Sequence, residues 1–391
     1  MTHADSTETR QGLAGYALAG LLVGLVGAGL CAFGAWSEPE SFYPAWLVAH
    51  LFWLGIALGC LAISMLHHLT GGAWGRVIRR VVESGAATLP LLAVLFVPVW
   101  LGMEHLYVWA QSGAVEADPL LAGKSRYLNV ESFGIRAAAY FAIWSALALW
   151  SNRWSATTDA PAEARRQRPL QLLSGPGLIL YGLTVTFASI DWAMSLEPHW
   201  YSSMYGVLFI GGQAVAGMSA ATLTVIALGR RRPWSESATP ERLNDLGNLL
   251  LAFVMFWSYV AFMQYLIIWS GNLPEETPWY ANRTAGGWQL LAWCLIVFHF
   301  AVPFLLLLSR RTKRAPARLA TVLVVLLGMR LVDLFWLVMP AFHPQGIRLH
   351  WLHVAAPVAI GGLWLAVFAW RLSARAKLPV YGVQIEERAH G

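Results

Sequence analysis

Glu104, Arg330 and Asp333 lie within stretches of sequence that are otherwise almost wholly apolar. On membrane-insertion scales each such charge costs ~2.5–3.5 kcal/mol, so the three together cost roughly 7–10 kcal/mol unless they are paired, neutralised or hydrated. Two accounts offset that cost. In the first, Arg330 pairs with Asp333 three residues later on one helix face, Glu104 bonds Arg136 across neighbouring helices, and the charges only fix a bundle. In the second, the carboxylates line a proton path or a quinol headgroup site, accepting a hydroxyl proton and passing it outward. His105, Asp191 and Gln264 extend the group, with Glu197 and His199 in an adjoining loop. His50 and His299 stand alone in apolar surroundings. A b-type haem in a helical bundle needs two converging imidazoles. No histidine pair has the spacing for that, so both are expected to be satisfied core residues.

The elements that position these groups follow from composition. The chain has 391 residues, 57% hydrophobic and only 12% charged, about half the charge of an ordinary soluble domain. Apolar runs long enough to cross a hydrocarbon core of ~30 Å occur at 12–34, 45–66, 86–110, 134–150, 170–192, 203–228, 246–269, 287–308, 317–339 and 351–370. Helices satisfy their own backbone hydrogen bonds in lipid, so the expected fold is an all-α integral membrane protein of about ten transmembrane helices. A single polytopic domain over 12–372 would lie between short tails at 1–11 and 373–391. In this reading Glu104 and Asp333 each sit six residues from an outer helix end, roughly 9 Å deep, with Arg330 near the midplane. Pro90 and Pro98 would kink the helix that carries Glu104.

Charge tests the topology, because short cytoplasmic loops carry excess Lys and Arg. With the N-terminus inside, the inner segments hold 21 of the 27 basic residues. The outer loops hold only Lys124, Arg126, Arg283 and Arg348, while Arg136 and Arg330 lie within helices. The net charge of +6 therefore reads as membrane topology; no basic stripe with interleaved aromatics points to nucleic acid. Both termini are expected in the cytoplasm, at an inner membrane. Trp46, Trp109, Trp192, Trp200, Trp269, Trp279, Trp288 and Trp351 cluster at outer helix ends and read as interfacial anchors. Gly20 with Gly24, and Gly55 with Gly59, read as small-residue pairs for close helix packing. His67 and His68 read as an interfacial turn, and 151–168 as the one linker. Cys31, Cys60 and Cys294 form no metal, cluster or haem-attachment pattern and read as packing residues.

Five stretches resemble one family. They are LHHLTGGAW at 66–74, SGPG at 174–177, DWAMSLEPHW at 191–200, IIWSGNLPEE at 267–276 and RLVDLFW at 330–336. They are similar to those of the second large membrane subunit of bacterial alternative complex III, a quinol:electron acceptor oxidoreductase. The resemblance spans essentially the whole chain. It implies a polysulfide-reductase-like membrane subunit whose central eight helices form two four-helix bundles, with two peripheral helices. It also implies a related quinol-binding membrane subunit alongside, iron–sulfur and cytochrome c subunits that carry the electrons, and a terminal oxidase as an optional further partner. The related membrane subunit is the better candidate for quinol oxidation. That leaves the family resembled here as the expected proton conduit, with quinol or quinone as a substrate to be weighed. No cofactor bound by this chain is implied. The rivals are a structural membrane anchor with no site of its own and, behind it, a secondary transporter, which would call for broken helices and internal symmetry.

Reporter tags at either terminus are expected on the cytoplasmic side, and a tag within 113–132 outside; an exported C-terminus would remove the ten-helix topology. The isolated chain is expected to show no haem spectrum. A b-type spectrum would direct attention to His50 and His299.

Overall fold

A computed structural model describes residues 3–157, 167–229, 234 and 238–374. Among the described residues the fold is all-α, with ten helical spans long and apolar enough to cross a membrane. We number them α1 (Gln11–Ser37), α2 (Pro39–Thr70), α3 (Ala73–Leu101), α4 (Val130–Ser155), α5 (Arg168–Leu196), α6 (Tyr205–Leu228), α7 (Pro240–Gly271), α8 (Trp288–Leu308), α9 (Pro316–Ala341) and α10 (Leu352–Ala374). Multi-pass membrane residence follows from their length and composition.

Two four-helix groups form the body. In the first, α2 packs on α3 and α5, and α4 packs on α3 and α5; in the second, α6 packs on α7 and α9, and α8 packs on α7 and α9. The groups join where α6 crosses α2 and α5. Outside them α1 and α10 run together as a closely packed pair, with α10 also against α2. The arrangement is that of two four-helix bundles with two peripheral helices. The α2 helix is its axis, buried almost without a break from Phe42 to Met65.

Glycine makes the closest approaches possible. A Cβ on Gly24 would come within 2.6 Å of the backbone nitrogen of Leu363 on α10. A Cβ on Gly59 would collide with the Gln213 carbonyl of α6, and one on the facing Gly217 would lie 2.6 Å from the Gly59 carbonyl carbon. The small-residue pairs read from the sequence thus serve packing, Gly20 and Gly24 against α10 and Gly59 against α6.

Several boundaries differ from the sequence reading. The first helix runs from His3 to Ser37, so it takes in most of the segment read as an N-terminal tail. The C-terminal tail lies outside the described residues beyond Ala374. Of the segment read as a linker, helix occupies both ends and 158–166 lie outside the described residues. The largest difference is α3. It begins at Ala73 rather than 86, because Gly71 and Gly72 adopt positive φ of 67° and 96° and turn the chain between α2 and α3 in two residues, a conformation glycine takes at no steric cost. The span is then used up by Leu101. Helical geometry lapses at 87–88, at Phe96 and at Gly102, each within two residues of Pro90 or Pro98 or at a glycine. Glu104 and His105 consequently lie past the span, in the single turn Met103–Leu106. His67 and His68 occupy the last turn of α2 rather than a turn beyond it.

Gly59→Ala is expected to destabilise the protein by ~1–3 kcal/mol, since two backbones must separate to admit the methyl group. Gly29→Ala meets nothing within 4 Å and should gain up to ~1 kcal/mol from helix propensity. Thermal unfolding in detergent checks both; equal effects at the two positions would contradict the packing assignment.

Candidate functional site

The second bundle encloses a polar cluster built from five helices. Arg330 and Asp333, one turn apart on α9, form an ion pair with side chains only 2% and 3% exposed. The guanidinium lies directly against the α6 backbone at Gly212, where any Cβ would collide with it, and 5.7 Å from the Phe209 ring. From α5 the Tyr181 hydroxyl donates to Gln213 Oε1 at 2.6 Å. From α7 the Trp257 ring meets the His299 ring edge-on, with centroids 4.2 Å apart, and stands beside the Asp333 carboxylate.

His299 reaches this cluster through an irregularity in α8. The span is α-helical over Trp288–Cys294, π-helical over Leu295–Ala301 and α-helical again over Val302–Leu308. A π turn inserts an extra residue and changes the helix face that follows; such turns recur at functional positions. His299 is 1% exposed, and neither ring nitrogen has a hydrogen-bond partner among the described residues. His50 is in the same condition in the first bundle, set between Phe96 and Phe141. Both are core histidines as expected, but neither is satisfied.

A second ion pair caps the bundle at the end where the longer connecting loops lie. Arg283, in the short helix Thr277–Arg283, is fully buried and donates to Glu197 Oε2 at 2.6 Å, to the Leu337 carbonyl at 2.7 Å and to the Trp279 carbonyl at 3.0 Å. Its guanidinium lies 3.6 Å above the Trp279 ring, a cation–π contact. Leu337 is one helical turn beyond Asp333, ~6 Å along α9. Buried Tyr205 at the head of α6 lies within the field of both pairs, Arg330–Asp333 and Arg283–Glu197. Nearby, Ser202 donates to Gln264 Oε1 at 3.1 Å, and the Gln264 amide donates to the Tyr280 hydroxyl at 3.3 Å. Burial pushes the Tyr280 hydroxyl up to about 12, so it stays protonated and keeps both donor and acceptor capacity.

Arg136 and Asp191 lie apart from this cluster, in the first bundle. Arg136 meets Asp191 through two bonds of 2.8 and 2.9 Å and donates to the Tyr127 carbonyl at 2.9 Å. Tyr140 adds a hydroxyl bond to Asp191 at 2.8 Å. The pairing of Glu104 with Arg136 expected from sequence is therefore replaced by Arg136 with Asp191. Glu104 is exposed on the loop-bearing face, its carbonyl accepting from Gln111 and its carboxylate without a hydrogen-bond partner among the described residues. His105 stacks on Tyr43 and meets Glu40 at 2.8 Å. Of the eight candidate residues, the structure brings together Arg330, Asp333 and His299, sets Gln264 two turns beyond Trp257 on α7, and places the other four elsewhere.

The anchoring role given to the tryptophans holds for few of them. Trp269 and Trp351 are exposed, at 65% and 39%. The other six are buried: Trp192 within an aromatic cluster with Phe96, Phe141 and Trp144, and Trp200 and Trp279 stacked at 4.4 Å beneath Arg283.

Sequence reasoning also missed Glu83. It is 1% exposed in α3, at the arginine-rich end, bonded by Arg79 at 3.0 Å, by Arg80 at 3.2 Å and by the Ser155 hydroxyl. Its signal was the i, i+3 and i, i+4 spacing to those arginines, which a helix starting at 86 could not use. Among the described residues no group of three or more His, Cys, Asp and Glu could hold a metal ion. Compared with protein-family models and with curated proteins, the chain matches none.

Arg136→Met is expected to cost ~3–5 kcal/mol by leaving the buried Asp191 carboxylate unpaired, and Arg136→Met with Asp191→Leu to recover part of that loss. Melting points of single and double variants in detergent measure it. A double variant as destabilised as the sum of the two singles, or more so, would refute the coupling.

Proposed function

We propose that this chain is a membrane subunit of a respiratory quinol:electron acceptor oxidoreductase of the alternative complex III type, and that its second bundle conducts protons. The observation that carries the reading is the succession of polar groups from the bundle interior to the loop-bearing face: the buried Asp333–Arg330 pair, buried Tyr205 in the field of both pairs, and part-buried Glu197 with Arg283. Arg330 and Asp333 belong to the RLVDLFW stretch, and Glu197 to DWAMSLEPHW, two of the five on which the family resemblance rests. Support is thus chemical and positional at the same residues.

Each group has a distinct role. Arginine does not release its proton in proteins, so Arg330 and Arg283 hold local positive charge without relaying. Asp333 accepts a proton when it leaves Arg330, and a tyrosine hydroxyl can both accept and donate one, which suits Tyr205 to link Asp333 to Glu197. Glu197, 21% exposed, is the outlet. In this reading His299, whose ring nitrogens have no partner among the described residues, takes a proton from the interior side. Glu104, one of the carboxylates that the sequence offered for a proton path, gives way to Glu197 in this reading because it lies outside the second bundle.

In this reading the outlet faces outward, both termini are cytoplasmic and the membrane is a bacterial inner membrane, as the distribution of Lys and Arg favours. The related quinol-binding subunit, the iron–sulfur and cytochrome c subunits, and a terminal oxidase are the partners. Quinol is oxidised next to this chain rather than on a cofactor within it. The complete mutual satisfaction of Arg136, Asp191 and Tyr140 favours a purely structural role for the first bundle's pair.

Tyr205→Phe in the assembled complex keeps the ring and removes only the hydroxyl. It is expected to slow quinol oxidation and the proton release coupled to it at least about tenfold, the scale of a lost acid–base group, with assembly intact. Asp333→Asn should do the same with some loss of abundance, because Arg330 loses its counter-charge. Wild-type proton release by an assembled Tyr205→Phe complex would overturn the conduit and leave the chain an anchor.

A further inference from the structure

At the opposite, arginine-rich end, a cavity of about 320 Å³ opens between α3, α4 and α10, lined by Glu83, Ser84, Ala87, Leu149, Asn152, Arg153 and Arg371. At ~30 Å³ per liquid water, it has room for a phosphodiester group and several waters. Its one carboxylate, Glu83, is already bonded by Arg79, Arg80 and the Ser155 hydroxyl. The Asn152 amide donates to the Glu83 carbonyl and the Ser84 hydroxyl to the Arg80 carbonyl. With two arginines against one carboxylate, this cluster carries no excess negative charge. Arg153 and Arg371 remain as cations facing the cavity, and the Nε of Arg371 is buried with no hydrogen-bond partner among the described residues.

Apolar side chains adjoin the cavity. Leu149, in the cavity wall, is 46% exposed, and Trp150 and Trp370, next in sequence to the lining residues Leu149 and Arg371, are 55% and 57% exposed. Arg371 packs against Trp370, with its guanidinium 4.9 Å from the ring. Exposed tryptophans at the ends of membrane spans mark the headgroup level of the bilayer, and arginine binds phosphate with a planar, two-pronged donor set. Basic pockets between spans at the cytoplasmic leaflet take anionic headgroups. We propose that this cavity binds the phosphodiester headgroup of an anionic phospholipid, held by Arg153 and Arg371, with the acyl chains leaving along Leu149 and the two tryptophans. The proposal is independent of proton conduction, whose groups lie in the other bundle and towards the other face.

The test is native mass spectrometry of the purified full chain exchanged into phosphatidylglycerol or phosphatidylcholine, with thermal melting as a second readout. Wild-type protein is expected to retain phosphatidylglycerol over phosphatidylcholine and to melt at a higher temperature in its presence. Arg153→Gln with Arg371→Gln should weaken retention about tenfold or more, as two charge-assisted bonds are lost, and abolish the melting shift. Arg126→Gln with Arg348→Gln, on the opposite face, should change neither. Should the glutamine pair fail to fold, Arg153→Lys with Arg371→Lys keeps the charge and should show reduced retention for lack of the planar fork. Undiminished retention by whichever double variant folds overturns the site. Equal retention of phosphatidylcholine would also overturn it, and so would displacement of the lipid by millimolar inorganic phosphate, which would make the cavity a site for soluble anions.

Discussion

Arg330 is a permanent cation in a place with little water, and the architecture of the second bundle answers to that fact. A guanidinium keeps its charge at any physiological pH, so the surroundings must supply what hydration would have supplied. They do so with Asp333 one turn along the same helix and with the bare α6 backbone at Gly212. The glycine and the arginine are one design: a methyl group at 212 would displace the guanidinium, and a neutral residue at 330 would strand the carboxylate. Breaking such a pair costs more than forming it gains, which keeps the guanidinium in place, and its close fit on the Gly212 backbone sets α6 against α9 in a single register.

That register positions the rest. With α6 held against α9, buried Tyr205 at its head lies in the electrostatic field of both ion pairs. Arg283 ties the loop helix to the end of α9 through the Leu337 carbonyl. The α2–α6 crossing at Gly59 and Gly217 joins this bundle to the first, where Arg136 and Asp191 repeat the logic with two parallel bonds. In both bundles aromatic rings surround the charges, which lowers the local dielectric and strengthens each remaining electrostatic contact. The same surroundings leave His50 and His299 without partners among the described residues, so any proton arriving there has few alternative places to go.

Length and composition alone determined that the chain forms ten helices crossing a bilayer, since a segment without water must satisfy its own backbone, and the apolar runs are long enough to count. The i, i+3 spacing likewise made the Arg330–Asp333 pair legible, because both partners lie on one helix and local geometry suffices. Partners on different helices were another matter. One of the two accounts paired Arg136 with Glu104, and Arg136 meets Asp191; Arg283 read as a loop cation and is fully buried; most of the tryptophans read as anchors and are core. In each case the residue type signalled a need, for a counter-charge or for burial, but which side chain meets that need depends on how helices rotate and cross. Glu104 shows the sharpest form of this. Two glycines with positive φ let α3 begin 13 residues before the expected position, and its apolar span ends at Leu101, before Glu104. Only tertiary packing decided that, because apolar character is spread along the whole segment and does not mark which part of it spans the membrane.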